Sequence, residues 1–528
     1  MRNLESLSLE EKVGQMIIGG FDGYQLSSEL ITLIEDYKIG GIAYYRRNID
    51  NNEQLFSLSK AMQERAIEKV GIPLLISIDQ EGGVVGRITD DFTLIPGNMA
   101  LGAVGNLDLV YDSAAICAKE LKALGINMNL APCLDINSNP NNCVIGVRSF
   151  SDEPLKVSEL GIAVINGYQN NDLCATIKHF PGHGDTESDS HYSMPIITQG
   201  IDLLYDRELL PFIKAIEAGV DAIMTGHILV PELDKNYPCT VSKIIITDLL
   251  RNKLGYEGVV VSDCLEMKGI SSAYEFNDLV IKTVQAGVDL LFFAHGFENK
   301  IEAINCIIQA VKNGIIPIEQ IDASVQRILD LKKKRNLESF IGNWEEAKKE
   351  IAKKEHTEFL LSLSEQSITL VKDENNKIPL NTNREVLVIN LEVRTDTEID
   401  IVFHLEETLG YYLKKYGCSV NELSYSIDPS EEDIEEILSF TTQYQNIIVT
   451  SYNTVKYENQ RKLIKRLENL YKDNLIILAV RNPYDILMFE EIKTYILSYE
   501  SNPVSMDSAA KVLLGKSIAK GNLPVKIY

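Results

Sequence analysis

Residues 174–191 read Cys174-Ala175-Thr176-Ile177-Lys178-His179-Phe180-Pro181-Gly182-His183-Gly184-Asp185-Thr186-Glu187-Ser188-Asp189-Ser190-His191. The first four residues are mostly apolar and predict a short buried strand, and the polar cluster begins where that strand ends. Gly182 and Gly184 disfavour a helix there and let the backbone turn sharply. A loop so dense in ionisable side chains costs stability, which indicates that it serves chemistry.

Seven further apolar, β-branched runs lie in the first 336 residues, and segments of helical periodicity lie between them. The eight predicted strands are 14–20, 39–45, 73–79, 127–135, 174–180, 222–228, 258–263 and 290–295. Buried strands that alternate with helices predict an α/β fold, with a parallel sheet closed into a (β/α)8 TIM-type barrel over residues 1–336. An open doubly wound sheet is the alternative, although no GxGxxG follows the first strand.

The remaining third of the chain predicts a linker and a second domain. Residues 337–356 are expected to form a helical linker, and the lysine run 332–334 before it is expected to be a solvated helix face. Residues 357–528 predict a smaller α/β sandwich domain with strands at 385–391, 446–450, 475–480 and 495–499. Few ionisable residues follow these strands, so we expect no second active site.

Composition excludes several classes of partner. The 528 residues carry a formal charge of −25, which argues against nucleic acid and anionic membranes because both attract basic surfaces. No apolar run approaches the roughly 20 residues of a membrane span, and the polar N-terminal segment has no secretory core. Eight cysteines without CxxC spacing indicate reduced packing residues. We therefore predict a cytoplasmic protein.

Polar residues follow the predicted barrel strands at their carboxyl ends, where active sites of this fold lie. Five of the seven histidines fall on this rim or its loops, which a random placement would not produce. The sequence therefore predicts one polar site there. The residues that end successive strands from the third onward are Asp79, Asp135, Lys178, His179, His227, Asp263 and His295.

Two carboxylates and one histidine indicate the chemistry. Residues i and i+2 of an extended loop project to the same side, so Asp189 can hydrogen-bond His191 and make it a general acid/base. Asp263 follows a buried strand and can act as a nucleophile, the alternative being a helix N-cap. This arrangement fits retaining glycoside cleavage through a covalent glycosyl intermediate. The side chains expected to hydrogen-bond the sugar are Asp79, Arg87, Arg148, Lys178 and His179.

Two other chemistries fit less well. A zinc ion could be held by the set His179, His183, Asp185 and His191, but Pro181-Gly182 excludes the helical HExxH arrangement. A Ser-His-Asp hydrolase is disfavoured because no Gly-x-Ser-x-Gly follows a strand. We expect no metal and no other cofactor.

The run 178–184, continued by Asp189-Ser190-His191, resembles the signature of β-N-acetylglucosaminidases of glycoside hydrolase family 3. The Asp-x-His pair separates this branch from the family's β-glucosidases, whose acid/base is a glutamate elsewhere. Further similar motifs lie at 78–83, 142–150, 223–228 and 258–267, and fainter ones at 481–485 and 521–525. The resemblance thus spans the whole predicted barrel.

The resemblance implies a role for each matched residue. Asp263 is then the nucleophile, His191 the acid/base and Asp189 its partner. The N-acetylglucosamine-binding residues are then Asp79, Arg87, Arg148, Lys178 and His179. The implied activity is exo-acting, retaining release of terminal β-linked N-acetylglucosamine from small cell-wall muropeptide or chitin-derived fragments, as in peptidoglycan recycling. A phosphorylase on the same sugar, a related β-glycosidase and a catalytically silent glycan-binding protein remain alternatives, and the oligomeric state stays open.

Overall fold

Eight parallel strands form one sheet in the first part of the chain. The computed structural model describes residues 1–142, 144–186, 194–339, 342–392, 400 and 406–527. The strand order is β7-β6-β5-β4-β3-β2-β1-β8, and a bridge between Val261 and Leu290 closes β7 onto β8. The predicted barrel is thereby confirmed. Its strands are β1 (Ile17–Gly19), β2 (Gly41–Tyr44), β3 (Leu75–Ile78), β4 (Met128–Asn129), β5 (Cys174–Phe180), β6 (Ala222–Thr225), β7 (Val259–Ser262) and β8 (Leu291–Phe293).

Helices cover the outside of this sheet. Each barrel strand is buried along its whole length, which is why it appears in the sequence as a continuous apolar run. A π-helix at Ile244–Lys253 lies between β6 and β7. The α-helices of this part are α1 (Leu9–Gln15), α2 (Ser28–Glu35), α3 (Asn52–Lys69), α4 (Asn98–Val104), α5 (Leu107–Ala123), α6 (Pro154–Gln169), α7 (Ile201–Leu203), α8 (Leu210–Glu217), α9 (Lys268–Ser271), α10 (Phe276–Ala286), α11 (Phe297–Lys312) and α12 (Ile318–Lys334).

A second sheet of six strands follows, in the order β11-β10-β12-β13-β14-β9, with only β9 antiparallel. Its strands are β9 (Thr369–Asp373), β10 (Val386–Glu392), β11 (Val420–Ser426), β12 (Asn446–Ser451), β13 (Leu475–Ala479) and β14 (Thr494–Leu497). The helices that follow the barrel in the chain are α13 (Trp344–Ala347), α14 (Lys354–Ser367), α15 (Leu409–Lys415), α16 (Glu431–Thr441), α17 (Glu458–Tyr471) and α18 (Pro503–Leu513). This mixed α/β layer confirms the predicted second fold, whereas the domain boundaries at 336 and 357 stay predictions.

The prediction that the lysine run before the linker is a solvated helix face was wrong for Lys332, whereas Lys333 and Lys334 are exposed. The Lys332 side chain is fully buried, and its Nζ donates to Gln15 Oε1 at 2.7 Å and to the carbonyl of Gly40 at 2.8 Å. Lys332 lies one helical turn after the buried Ile328, so it belongs to the face of α12 that packs on the barrel. Lys334 pairs with Asp221 at 2.8 Å.

The described residues give two observations, one on membrane-spanning helices and one on disulfide bonds. No described helix combines the length and apolar character that a bilayer crossing requires. The seven described cysteines are free thiols, and all except Cys306 are buried.

Asp485 in the second domain leads to a prediction about pH. The carboxylate is buried, and its Oδ1 accepts from Thr454 N at 2.8 Å and from Thr454 Oγ1 at 3.0 Å. Burial raises its pKa from 3.8 to about 7. The folded protein therefore keeps a proton that the unfolded chain releases, and this carboxyl lowers stability as pH rises between those two values.

Removing the carboxyl group of Asp485 should therefore increase the stability of the folded protein more at high pH than at low pH. We expect Asp485→Asn to increase the free energy of unfolding, relative to the wild type, by about 2 kcal/mol more at pH 8 than at pH 5. Urea unfolding of both proteins at the two pH values measures this difference. An equal effect at both pH values would contradict the assignment.

Candidate active site

A cavity of about 420 Å³ opens at the carboxyl ends of the barrel strands. Six of the eight predicted site residues line it, although they come from five separate parts of the chain. The other two, Asp189 and His191, lie outside the described residues. The fold therefore brings together the described members of the predicted set, namely Asp79, Arg87, Arg148, Lys178, His179 and Asp263.

Buried charges of alternating sign form the floor of the cavity. Lys178 Nζ lies 2.7 Å from both Asp79 Oδ1 and Glu81 Oε1, and Arg148 makes a bidentate pair with Glu81 at 2.7 and 3.0 Å. Arg87 approaches Asp79 at 3.5 Å. Burial opposes the charged form of each carboxyl, but the neighbouring cations outweigh it and hold the pKa values of Asp79 and Glu81 below their ordinary values. These carboxylates in turn raise the pKa values of Arg148 and Lys178, so all four groups are charged at neutral pH.

Glu81 lies within the motif at 78–83, but the sequence did not predict it to be a site residue. It follows β3 by three residues and joins the two substrate-binding candidates Lys178 and Arg148. A glutamate in a glycine-containing loop gives no sign of which cations it will meet. Only the structure, in which Glu81 contacts both cations, identifies it as part of the site.

Asp135 organises the histidines beside this floor. It is fully buried, and it accepts from His179 Nδ1 at 2.6 Å, from His183 N at 2.6 Å and from His179 N at 3.2 Å. Burial opposes its charge, but His179 outweighs burial and lowers the pKa of Asp135 to about 2. Burial lowers the pKa of His183 to about 4, so this imidazole is neutral at physiological pH. The carboxylate thus fixes the His179 ring in one orientation.

Asp263 lies directly after β7. Its backbone N–H donates to the carbonyl of Thr225 at 3.1 Å, and its Oδ1 accepts from the N–H of Cys264 at 2.7 Å. The next helix, α9, begins at Lys268 with Met267 as its N-cap, so the alternative that Asp263 caps a helix is wrong. Asp263 is instead held at the cavity wall.

An aromatic and cationic group of residues forms the mouth of the cavity, and the sequence predicted only one of its members, His295. The His295 ring stacks on Tyr45 with centroids 6.3 Å apart, and the Arg47 guanidinium lies 4.5 Å from the centre of the same Tyr45 ring. Glu266 accepts from His295 N at 2.6 Å and from Asn299 Nδ2 at 2.7 Å. The strand ends β2 and β8 therefore meet at this mouth.

His227 differs from the other rim histidines. Its ring nitrogens lie 2.8 Å from Thr240 Oγ1 and from the carbonyl of Cys264, and its side chain is fully buried. It packs the loops that follow β6 and β7 and does not line the cavity. The sequence placed it at the correct strand end, but its role is to support neighbouring loops.

One group of possible metal ligands lies among the described residues, and it differs from the predicted zinc set. Cys133 Sγ, Asp135 and His179 offer ligand atoms within 4.8 Å of one another. Hydrogen bonds already join them, at 3.1 Å from Cys133 and 2.6 Å from His179 to Asp135 Oδ2. Burial and the charge of Asp135 hold the pKa of Cys133 well above its ordinary value, so this sulfur is a protonated thiol and a weak ligand. Its donor set therefore fits a metal poorly.

Comparisons with known proteins identify the family of this chain. Residues 8–331 match the model described as the glycosyl hydrolase family 3 N-terminal domain. A β-hexosaminidase A from Pseudoalteromonas piscicida is 33% identical over 95% of this chain and 91% of its own length. A shorter β-hexosaminidase from Xylella fastidiosa is 31% identical over 53% of this chain and 83% of its own.

A solved structure resembles the whole chain. It is a family 3 β-N-acetylglucosaminidase from Paenibacillus sp. str. FPU-7, which shares 42% sequence identity and superimposes with a TM-score of 0.95 over 99% of both chains. The match therefore includes the second sheet as well as the barrel. The chain belongs to glycoside hydrolase family 3.

Proposed function

We propose that this protein is a retaining, exo-acting β-N-acetylglucosaminidase that releases terminal N-acetylglucosamine from small glycosides. The observation that carries the proposal is the cavity itself, which Asp263 and His179 line together with the buried charges of Lys178 and Arg148. The two relatives that match nearly the whole chain, a β-hexosaminidase and a β-N-acetylglucosaminidase, support the same activity. A volume of about 420 Å³ suits a single sugar residue rather than a long chain.

The proposed reaction has two steps. Asp263 attacks the anomeric carbon and forms a covalent glycosyl bond, while His191 donates a proton to the departing glycosidic oxygen. His191 then accepts a proton from water as that water attacks the same carbon and releases the sugar. Asp189 orients the imidazole, as the sequence spacing suggests. Two displacements at one carbon retain the β configuration.

The floor of the cavity determines which sugar binds. Arg87, Arg148 and Lys178 are donors, of which Arg148 and Lys178 are held in the charged form by their carboxylate partners, and Asp79 is an acceptor. Such fixed donors and acceptors discriminate between hydroxyl positions through directional hydrogen bonds. We propose that these residues and His179 hold the N-acetylglucosamine ring. A cytoplasmic role in the turnover of muropeptides or chitin fragments is part of the same proposal.

Phosphate is a second candidate acceptor, and the charge of the cavity favours it. Among the described residues, six cationic side chains and three acidic ones line this cavity, in a chain with a net charge of −25. A positive lining attracts a dianion, and a neutral histidine acid/base does not repel one. The cations are Arg46, Arg47, Arg87, Arg148, Lys178 and Lys268.

Product analysis separates the two reactions. We expect the purified protein to convert N-acetylglucosaminyl disaccharides to free N-acetylglucosamine in buffer without phosphate, at a rate that added phosphate changes less than twofold. Phosphate-dependent accumulation of N-acetylglucosamine 1-phosphate would identify a phosphorylase instead. Failure to cleave any β-linked N-acetylglucosaminide in either buffer would contradict both activities and would favour a glycan-binding protein.

A further inference from the structure

Two glycines join the turn after Glu81 to the start of α4. Gly83 has a φ of +59°, and its N–H donates to the carbonyl of Ile95 at 2.8 Å. A Cβ atom on Gly83 would lie 2.6 Å from the Cα of Gly97, so the two backbones are in direct contact. Consequently the turn that carries Glu81 cannot shift without moving Gly97.

A carboxylate of the second domain holds Gly97 in place. The N–H of Gly97 donates to Glu500 Oε1 at 2.6 Å, and Asn502 Nδ2 donates to Glu500 Oε2. The carbonyl of Glu500 accepts from Ser498 Oγ at 2.8 Å and from Ser505 Oγ at 3.0 Å. Glu500 is therefore fixed to the second domain through its backbone and to the barrel through its side chain.

The burial of Glu500 makes this contact unusual. The side chain is 4% exposed, and among the described residues it makes hydrogen bonds but no ion pair. A buried carboxylate without a cation lowers stability, whereas a glutamine or an apolar side chain would not carry that penalty. A group that costs stability at this place suggests a task other than holding the fold.

The position of Gly97 affects the position of Arg148 in two ways. Asn98 Nδ2 donates to the carbonyl of Arg148 at 2.6 Å, which fixes the Arg148 backbone. Gly83 packs against Gly97 and belongs to the turn after Glu81, whose carboxylate holds the Arg148 guanidinium. Both the backbone and the side chain of Arg148 thus depend on where Gly97 lies.

We infer that Glu500 is a positioning residue of the active site, through which the second domain sets the positions of Glu81 and Arg148 in the barrel. The inference rests on the proposed function in one respect, namely that Arg148 binds the sugar. It gives the second domain a part in substrate binding although Glu500 itself does not line the cavity.

Replacing Glu500 tests the inference, and the second domain offers a matched control. Glu468 is also a buried glutamate, 6% exposed, and accepts the backbone N–H of Glu491 at 2.9 Å within the second domain. We expect Glu500→Ala to raise KM for an aryl β-N-acetylglucosaminide about tenfold, with kcat within about threefold, because it displaces a binding group. Glu468→Ala should change KM less than twofold although it also lowers Tm.

Two conservative variants complete the series. Glu500→Gln keeps an oxygen that can accept from Gly97, so its KM should return to within about threefold of the wild type. Glu500→Asp shortens the side chain by one methylene, which moves the carboxylate away from the N–H of Gly97. We expect this variant to raise KM as well, and it provides the test if Glu500→Ala does not fold. A wild-type KM in Glu500→Ala or Glu500→Asp, or an equal rise in Glu468→Ala, would overturn the inference.

Hydrogen exchange provides a readout that needs no turnover. We expect amides of residues 82–98 to exchange faster in Glu500→Ala than in Glu468→Ala, because the Gly97 N–H loses its acceptor. Unchanged exchange in this segment would count against the positioning role alone. Absence of turnover in the wild type would count against the proposed function alone, so the two failures are distinguishable.

Discussion

Asp263→Asn should lower kcat/KM for an aryl β-N-acetylglucosaminide by roughly 10,000-fold, which corresponds to about 5 kcal/mol of transition-state stabilisation. Asparagine has nearly the same shape, and its Oδ1 can still accept from the N–H of Cys264, so the end of β7 should keep its structure. What it lacks is the negative charge that attacks the anomeric carbon. Steady-state kinetics, together with equal Tm values for the two proteins, measure the effect of the charge alone.

A second variant shows which step fails. His191→Ala should slow cleavage of a disaccharide about a hundredfold but cleavage of an activated aryl glycoside far less, because a good leaving group needs no proton. Asp263→Asn should slow both substrates equally. Near-normal turnover by Asp263→Asn, or covalent labelling of another residue by a slow fluorinated substrate, would contradict the role of Asp263.

Lys178→Met should lower kcat/KM about a thousandfold and the free energy of unfolding by about 3–5 kcal/mol, because breaking a buried ion pair leaves the partner charges uncompensated. Lys178 is 3% exposed on its side chain and bridges Asp79 and Glu81, each at 2.7 Å. Without the ammonium group the two carboxylates repel each other across the cavity floor. Kinetics and urea unfolding at pH 7.5 measure the two losses.

Lys332→Met is the matched control for this prediction. Lys332 is also a fully buried lysine of the barrel, but its Nζ meets only the neutral oxygens of Gln15 and Gly40, and burial lowers its pKa to about 7. Its removal leaves no carboxylate without a partner, so stability should change by about 1 kcal/mol and activity by less than twofold. Equal losses of stability and activity in Lys178→Met and Lys332→Met would show that the burial of a lysine, and not its ion pairs in the cavity floor, determines both effects.

The barrel was predictable from the sequence because its strands are buried on both faces. Val259-Val260-Val261 is a continuous apolar run, and β7 consists of these three residues and Ser262. The second sheet was predictable only at its centre. Its edge strands β9 and β11 carry alternating or mixed side chains that the same criterion does not detect, as in the half-exposed residues of Val420–Ser426.

The candidate site was predictable where strand ends determine position. Asp79 and Asp263 each follow a barrel strand, Lys178 lies near the end of β5, and the fold brings these ends to one rim. The pairing of charges was not predictable, because Glu81 meets Arg148 across 67 residues and Glu500 meets Gly97 across 403. Such contacts depend on how the loops and domains pack, which leaves no periodic signal in the sequence.

The hydrogen bond between Asp135 and His179 has a consequence for inhibitor design. An ionised carboxylate can only accept, so a proton must lie on His179 Nδ1, and this hydrogen bond holds the ring in one orientation. A compound that reaches His179 therefore meets a ring whose position is fixed before binding. A substituent shaped to that ring loses no affinity to its reorientation, because the protein has already restricted the side chain.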